Sequence, residues 1–399
     1  MLKSQQIRDY LTIRYHPFDK TQLKPITAKN FSNVNSDPYG YTTEELLEKT
    51  IVKSTPKTGN LVISLSGGID STLCLGLLRK IFPSRKITSI CAIFEQGFDE
   101  SILAKKVADK FETDFKIITI KSIFENIPEI ISITKKPLWN TYQHFVAKEG
   151  RKFGKIHFSG DGADELFGGY TFRYNKFLHL NNPKSNWKTK TKHYLECHNR
   201  DWVPDQKSIF GSSIAFNWQH IYNYFEPFFN NSLNSLEQVL LADFNGKLLH
   251  DFIPASTAIS KFYNIKKIPI FLDKDIRNHS LKIPINQKYN PDTKKGKLIL
   301  RQITKRLGIE HFQEKHGFSP DLLIDWKNSG KEICESYLLK KDSYIYQNKL
   351  INFDWVQEAY EKVDNDGDIR YLNRLLSILS LEIWIRIFIK NEIKATAKL

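Results

Sequence analysis

Asp70 lies two residues beyond a glycine pair, among hydroxyls, in the string Leu65-Ser66-Gly67-Gly68-Ile69-Asp70-Ser71. Two glycines let a main chain approach a ligand closely and take positive φ. Ser66 and Ser71 can donate to phosphate oxygens. A carboxylate in such a place would repel phosphate unless it holds a Mg²⁺ that the phosphates share. A second string, Phe158-Ser159-Gly160-Asp161-Gly162-Ala163-Asp164-Glu165-Leu166-Phe167-Gly168-Gly169-Tyr170, packs four glycines and three carboxylates into thirteen residues. Glycines 160 and 162 let backbone pass close to a nucleotide, and the carboxylates suit Mg²⁺ and a general base. Taken singly, the first string could be a capped structural turn and the second an acidic helix start. Their joint occurrence, each directly after a strand, favours nucleotide chemistry.

The elements around these strings would position them. Leu61-Val62-Ile63-Ser64 reads as a buried strand. Thr72–Lys80 reads as a helix with Leu73, Leu77 and Leu78 on one face, and its start adds partial positive charge beside the loop. The alternative phosphate loop, GxxxxGK[ST], is absent. Further strands are expected at Ile87–Phe94, Phe115–Ile120 and Lys155–Phe158. Helices are expected from Thr42 as cap with Glu45 three residues on, from Asp99 through Phe111, after a Ser122 cap, and over Tyr142–Phe153. Alternation of this kind implies right-handed crossovers and a parallel sheet, with ligands outside the carboxyl ends of the strands at the switch point. Both strings sit at such ends.

Elsewhere the chain is less explicit. Tyr10-Leu11-Thr12-Ile13-Arg14-Tyr15 alternates like a short strand, and Pro17, Pro25 and Pro38 break regularity after it. From 171 to 399 the pattern is mostly helical, most clearly over Leu233–Phe252 and over Tyr371–Ile389, which is apolar almost all round. Residues 181–235, rich in Asn, Lys and Trp, suggest no particular element. Asp364-Asn365-Asp366-Gly367-Asp368 lacks the glutamate of a calcium loop and reads as a helix–helix turn. His311 and His316 lack the spacing of a helical metal pair.

With 399 residues, 41% of them hydrophobic, the chain can bury a sizeable core. No stretch approaches the roughly 20 apolar residues of a membrane span, and the first residues contain no apolar signal core. The four cysteines (74, 91, 197, 334) are scattered, as reduced thiols of a cytoplasmic protein would be. The net charge of +15 fits polyanionic small ligands, a lysine-rich background or nucleic acid. The basic clusters at Lys184–Lys192, Lys261–Lys267 and Lys294–Lys297 are not the aromatic-interleaved ribbons typical of single-strand binding, which makes nucleic acid the weaker of these readings.

The first string resembles the pyrophosphatase loop of enzymes that split ATP into AMP and pyrophosphate. The second narrows the resemblance to the synthetase domain of class B asparagine synthetases, whose relatives include β-lactam synthetases and lasso-peptide cyclases. The resemblance extends over about 40–326. Ile270-Phe271-Leu272-Asp273 is similar to a Pro-Phe-Leu-Asp element, Lys297-Leu298-Ile299-Leu300-Arg301 to a Lys-x-x-Leu-Arg helix, and Lys315-His316-Gly317-Phe318 to a Lys-x-x-Phe segment. The resemblance implies a parallel-sheet ATP-pyrophosphatase domain, of the adenine nucleotide alpha hydrolase type, over 46–326, with a helical extension over 327–399. It implies that a carboxylate is adenylated with ATP and Mg²⁺, and that ammonia or an amine then displaces AMP. Leu65, Ser66, Gly67, Gly68, Asp70 and Ser71 would hold pyrophosphate and metal, Ser159 and Gly160 would contact AMP, and Asp164 would join Asp70 on the metal. Asp161 would stand where an acidic residue, often Glu, serves intermediate formation or nucleophile deprotonation. Lys297 and Lys315 would be catalytic, Lys315 on pyrophosphate.

Two departures bear on the acceptor. Lys266-Lys267-Ile268 stands where the family shows acidic and arginine residues, and Lys135-Lys136-Pro137 stands where an acidic residue often precedes proline. Aspartate is the first candidate acceptor. A peptide or specialised-metabolite carboxylate is the alternative, and tRNA modification using the basic surface is a third. The chain begins Met1-Leu2, its first cysteine is Cys74 inside a helix, and about 60 residues precede the first strand, too few for a glutaminase domain of ordinary size. The resemblance implies a glutaminase domain ahead of the synthetase domain, with a cysteine exposed by removal of Met as nucleophile, so residues 1–45 are expected to be a remnant of it, in which Tyr10–Tyr15 resembles its closing strand. Nitrogen would come from free ammonia, an amine or a separate glutaminase subunit.

Overall fold

The structure is a computed structural model describing residues 2–95, 99–182, 184–198, 202–309 and 321–399. Five parallel strands form its centre: β1 (Leu61–Ser64), β2 (Ile87–Phe94), β3 (Asp114–Ile120), β4 (Ile156–Ser159) and β5 (Lys266–Pro269). Their order is β3-β2-β1-β4-β5. Winding therefore runs outward from β1 to β3 and then reverses to β4, so the switch point lies between β1 and β4.

Side chains alternate across this sheet. Leu61 and Ile63 of β1, with Ile87 and Cys91 of β2, enter a core with helix Ile69–Ile81 and Ala104 and Ala108 of helix Ser101–Lys110. Val62, Ile90, Ala92 and Phe94 enter the opposite core with Tyr142, Val146 and the C-terminal helices. Helix Ile369–Phe388 is buried nearly all round. Gly367 (φ 64°) ends the preceding helix, Phe353–Asp366, and Asp368 caps the next through the N–H of Arg370 at 2.9 Å, so 364–368 is the expected turn. Among the described residues no helix is long and apolar enough to cross a membrane.

Some expectations need correction. Tyr10–Tyr15 is not a strand: Ser4–Ile13 is a helix, because the wider window places Ile7, Tyr10 and Leu11 on one face. Arg14 ends it in the left-handed region, with its N–H bonded to Tyr10 O at 3.1 Å. The likeness to a closing strand is thereby removed. The guanidinium of buried Arg374 donates to Leu11 O (2.5 Å) and Thr12 O (3.2 Å), and Gln206 Nε2 also donates to Leu11 O (2.9 Å). Cations and donors at a helix C-terminus satisfy its orphan carbonyls. Thr42 does not cap its helix, which runs Tyr41–Ser54. Asp37 does so instead, accepting from the N–H groups of Thr42 (3.2 Å) and Thr43 (2.8 Å). The edge strand β5 was not anticipated, since two lysines in four residues break the apolar signal. The helix expected over Leu233–Phe252 starts at Ser235, after an Asn234 cap, and runs on to Phe262, π-helical over Phe244–Phe252. Within 181–235, helices Trp187–Glu196 and Trp218–Phe229 pack against each other.

Candidate active site

The loop after β1 is preorganised by its own side chains. Leu65 N–H extends the ladder to Ile90 O (2.8 Å). Ser66 N–H donates to Ser71 Oγ (3.2 Å), Ser71 Oγ donates to Gly68 O (3.2 Å), and the two serine hydroxyls lie 3.3 Å apart. Gly67 takes φ +69°, as its residue type allows, whereas Gly68 does not need a positive φ. Helix Ile69–Ile81 starts at once, with Asp70 in its first turn.

The loop after β4 lies against this one. A Cβ on Gly160 would sit 2.6 Å from Asp70 Cβ, so only glycine permits the approach. The two strings thus meet at the switch point, as parallel topology requires. A hairpin of β6 (Tyr289–Asn290) and β7 (Lys295–Gly296) delivers Lys297 to the same place. Lys297 Nζ lies 2.5 Å from Asp70 Oδ2 and 2.6 Å from Asp164 Oδ1, with its side chain 7% exposed. Asp161 Oδ2 is 2.6 Å from Lys267 Nζ, which also donates to Gln143 Oε1 (3.0 Å). Lys267 starts on β5 level with His157 and reaches the carboxyl end of β4.

Asp70 Oδ1 and Ser159 Oγ are buried here with no hydrogen-bond partner among the described residues. Buried polar groups are normally satisfied, so these atoms suit a ligand. No group of three or more His, Cys, Asp or Glu among the described residues is placed to hold an ion alone. Mg²⁺ bound with a nucleotide needs only one or two carboxylates, because phosphates and water supply the rest. Asp70 and Asp164 fit that pattern. Lys315, His311 and His316 lie outside the described residues.

Behind the site lies a polar layer that sequence reasoning missed. Tyr170 OH donates to Glu165 Oε1 (2.7 Å), while Arg173, stacked on the Tyr170 ring, donates to Asp243 Oδ1 (2.8 Å). Tyr194 OH donates to the same oxygen (2.7 Å). Burial pushes the Glu165 carboxyl up to about 7, and the Tyr170 hydrogen bond only partly opposes it. A raised carboxylate pKa means that the folded state binds the extra proton. Stability therefore falls as pH rises from the ordinary Glu value to about 7. Glu165→Gln should abolish that fall, worth about 3 kcal/mol. Urea unfolding of both proteins at about pH 5 and pH 8 checks this, and equal pH dependence would mean that Glu165 ionises without cost.

A glycine turn between strand and helix at the switch point of a parallel sheet, faced by a second acidic loop, defines an α/β fold of the ATP-pyrophosphatase type. The chain belongs to the asparagine synthase family: the family model described as "Asparagine synthase" matches residues 42–386. The glutamine-hydrolyzing asparagine synthetase 1 of Bacillus subtilis (strain 168) is 24% identical over 429 residues, covering 95% of this chain and 66% of that one. A Mycobacterium tuberculosis (strain ATCC 25618 / H37Rv) protein, provisionally named a glutamine-hydrolyzing asparagine synthetase, is 32% identical over 164 residues, 38% of this chain and 25% of that one. The chain thus spans less than two thirds of the length of either relative. NMN synthetase from Francisella tularensis superposes with a TM-score of 0.28 at 16% identity, over 53% of this chain and 94% of that one.

Proposed function

We propose that this chain is an ATP-dependent, AMP-forming amide ligase acting on a carboxylate, with aspartate the first candidate. The observation that carries the reading is the meeting of the two motif loops, with Asp70 and Asp164 both within 2.6 Å of one ammonium. A carboxylate is a poor electrophile, because its leaving group would be oxide. Transfer of AMP to it, with release of pyrophosphate, supplies a better one. Ser66, Ser71 and the loop N–H groups bind the phosphate chain, while Ser159 and Gly160 border the nucleotide. Mg²⁺ held by Asp70 and Asp164 would neutralise charge on the departing pyrophosphate. In this proposal Lys315 does the same from the segment outside the described residues. Asp161 takes the proton lost by the attacking nitrogen.

The Lys267–Asp161 pair supports a second acceptor. It places a cation on the candidate base where the family resemblance leads one to expect acidic and arginine residues, which suits a peptide or specialised-metabolite carboxylate. Pyrophosphate release, screened over candidate acids with ATP, Mg²⁺ and ammonium, tests the proposal. Carboxylate-dependent pyrophosphate and AMP are expected. Cleavage to ADP and phosphate would overturn it.

The nitrogen source follows from the thiols. All four cysteines are buried, and burial pushes every thiol up from its ordinary value, the opposite of a reactive nucleophile. The purified chain should therefore form amide from ammonium or an amine and release no glutamate from glutamine. Glutamate released by this chain alone would refute that.

A further inference from the structure

We infer that Lys297 is an internal stand-in for the metal: it closes the Asp70–Asp164 pair against free divalent cations and yields it only to a cation that arrives with a phosphate chain. The inference rests on the nucleotide reading above. One ammonium is ion-paired to both carboxylates, at 2.5 and 2.6 Å, as a small cation bridging them would be. It is deeply placed, and the surroundings are shaped to keep it there. Lys297 takes φ 55°, a left-handed conformation uncommon for lysine, and strain of this kind persists where neighbouring structure enforces it. Its N–H bonds to Phe167 O (3.2 Å). A Cβ on Gly169 would collide with both partners, 1.8 Å from Asp164 Oδ1 and 2.4 Å from Lys297 Cε, so the second glycine of the Phe167-Gly168-Gly169-Tyr170 run clears the space in which they meet.

The electrostatics give the pair a logic. A divalent ion entering alone must displace the ammonium and then sit beside it, like charge against like charge. A phosphate chain changes that balance, because its oxygens accept the ammonium as the carboxylates take the metal. A ligand shifts such an equilibrium only by its differential affinity for the two arrangements. The phosphate chain supplies that difference and the metal alone does not. Asp70 Oδ1, buried and without a hydrogen-bond partner among the described residues, remains available to the incoming ion in either arrangement.

Mn²⁺ binding, followed by electron paramagnetic resonance, tests this without turnover. In the unaltered chain, protein-bound Mn²⁺ should appear with ATP or pyrophosphate, and neither with AMP nor without nucleotide. Lys297→Met should bind Mn²⁺ alone about tenfold more tightly or better, since the competing charge is gone. Circular dichroism establishes that the variant is folded; if it is not, the ligand series on the unaltered chain decides alone. Mn²⁺ bound by the unaltered chain as tightly without a phosphate chain as with one would overturn the inference, as would a folded Lys297→Met with no gain. Failure of the unaltered chain to bind ATP with Mn²⁺ would overturn the nucleotide reading itself, and the inference with it.

Discussion

Asp70→Asn should cut pyrophosphate release by about 10²–10³, the size of a lost charge-stabilising contact in a preorganised site, while the protein stays folded. Asn keeps the shape of the side chain, so the close passage of Gly160 against residue 70 is undisturbed. It removes the charge that justifies a carboxylate in a phosphate loop. Folding should survive because Lys297 keeps its second partner, Asp164 Oδ1 at 2.6 Å, so no buried cation is stranded. Two measurements separate the cases: thermal unfolding, expected within a few degrees of the unaltered chain, and pyrophosphate release with the best carboxylate from the screen. Near-normal release would remove Asp70 from the chemistry and reduce the loop to a structural turn.

Arg374→Leu should destabilise the chain by about 3 kcal/mol without touching the site, since hydrogen bonds from a buried charged group are worth about 1.5–3 kcal/mol and their loss strands a partner. Leucine fills much of the space but donates nothing. Leu11 O would keep Gln206 Nε2 at 2.9 Å, whereas Thr12 O would lose its guanidinium donor. Helix Ser4–Ile13 would be the first element to loosen. The urea midpoint should drop, and limited proteolysis should cut first within residues 2–15. An unchanged midpoint and digestion pattern would show that the helix is held without Arg374, by Gln206, Tyr224 and the packing of Ile7 and Leu11.

What could be read from the sequence was read where local pattern and tertiary demand agree. β1 and β2 have the predicted bounds, β3 starts one residue earlier and β4 is shifted by one residue at both ends, because buried parallel strands are short apolar runs bounded by turns. The two glycine strings announced a common face, and the strand order puts them side by side. Failures came where the deciding partner is distant. Tyr10–Tyr15 alternates over six residues, but the three- and four-residue spacing that makes it helical appears only when Ile7 is included. Asp37 caps a helix from outside the window in which a cap is sought. Lys267 reads as a surface lysine until β5 is laid beside β4 and its ammonium is found at Asp161. The Glu165–Tyr170 contact spans only five residues, yet its weight comes from Asp243 and Tyr194 behind it, which no spacing rule connects to the motif.

The hydrogen bond from Arg374 to Leu11 O spans 363 positions, and that separation sets a timetable. At the usual 5–20 residues per second of synthesis, roughly 20–70 s pass between the making of residue 11 and of residue 374. Through that interval the first helix lacks the neighbour that helix Ile369–Phe388 supplies. The chain emerges with an unfinished end and cannot complete its fold domain by domain from the start. Closure of so long a loop comes late and slowly, and a nascent chain of this kind needs shielding, by a chaperone or by temporary contacts of its own, until its last long helix has been made.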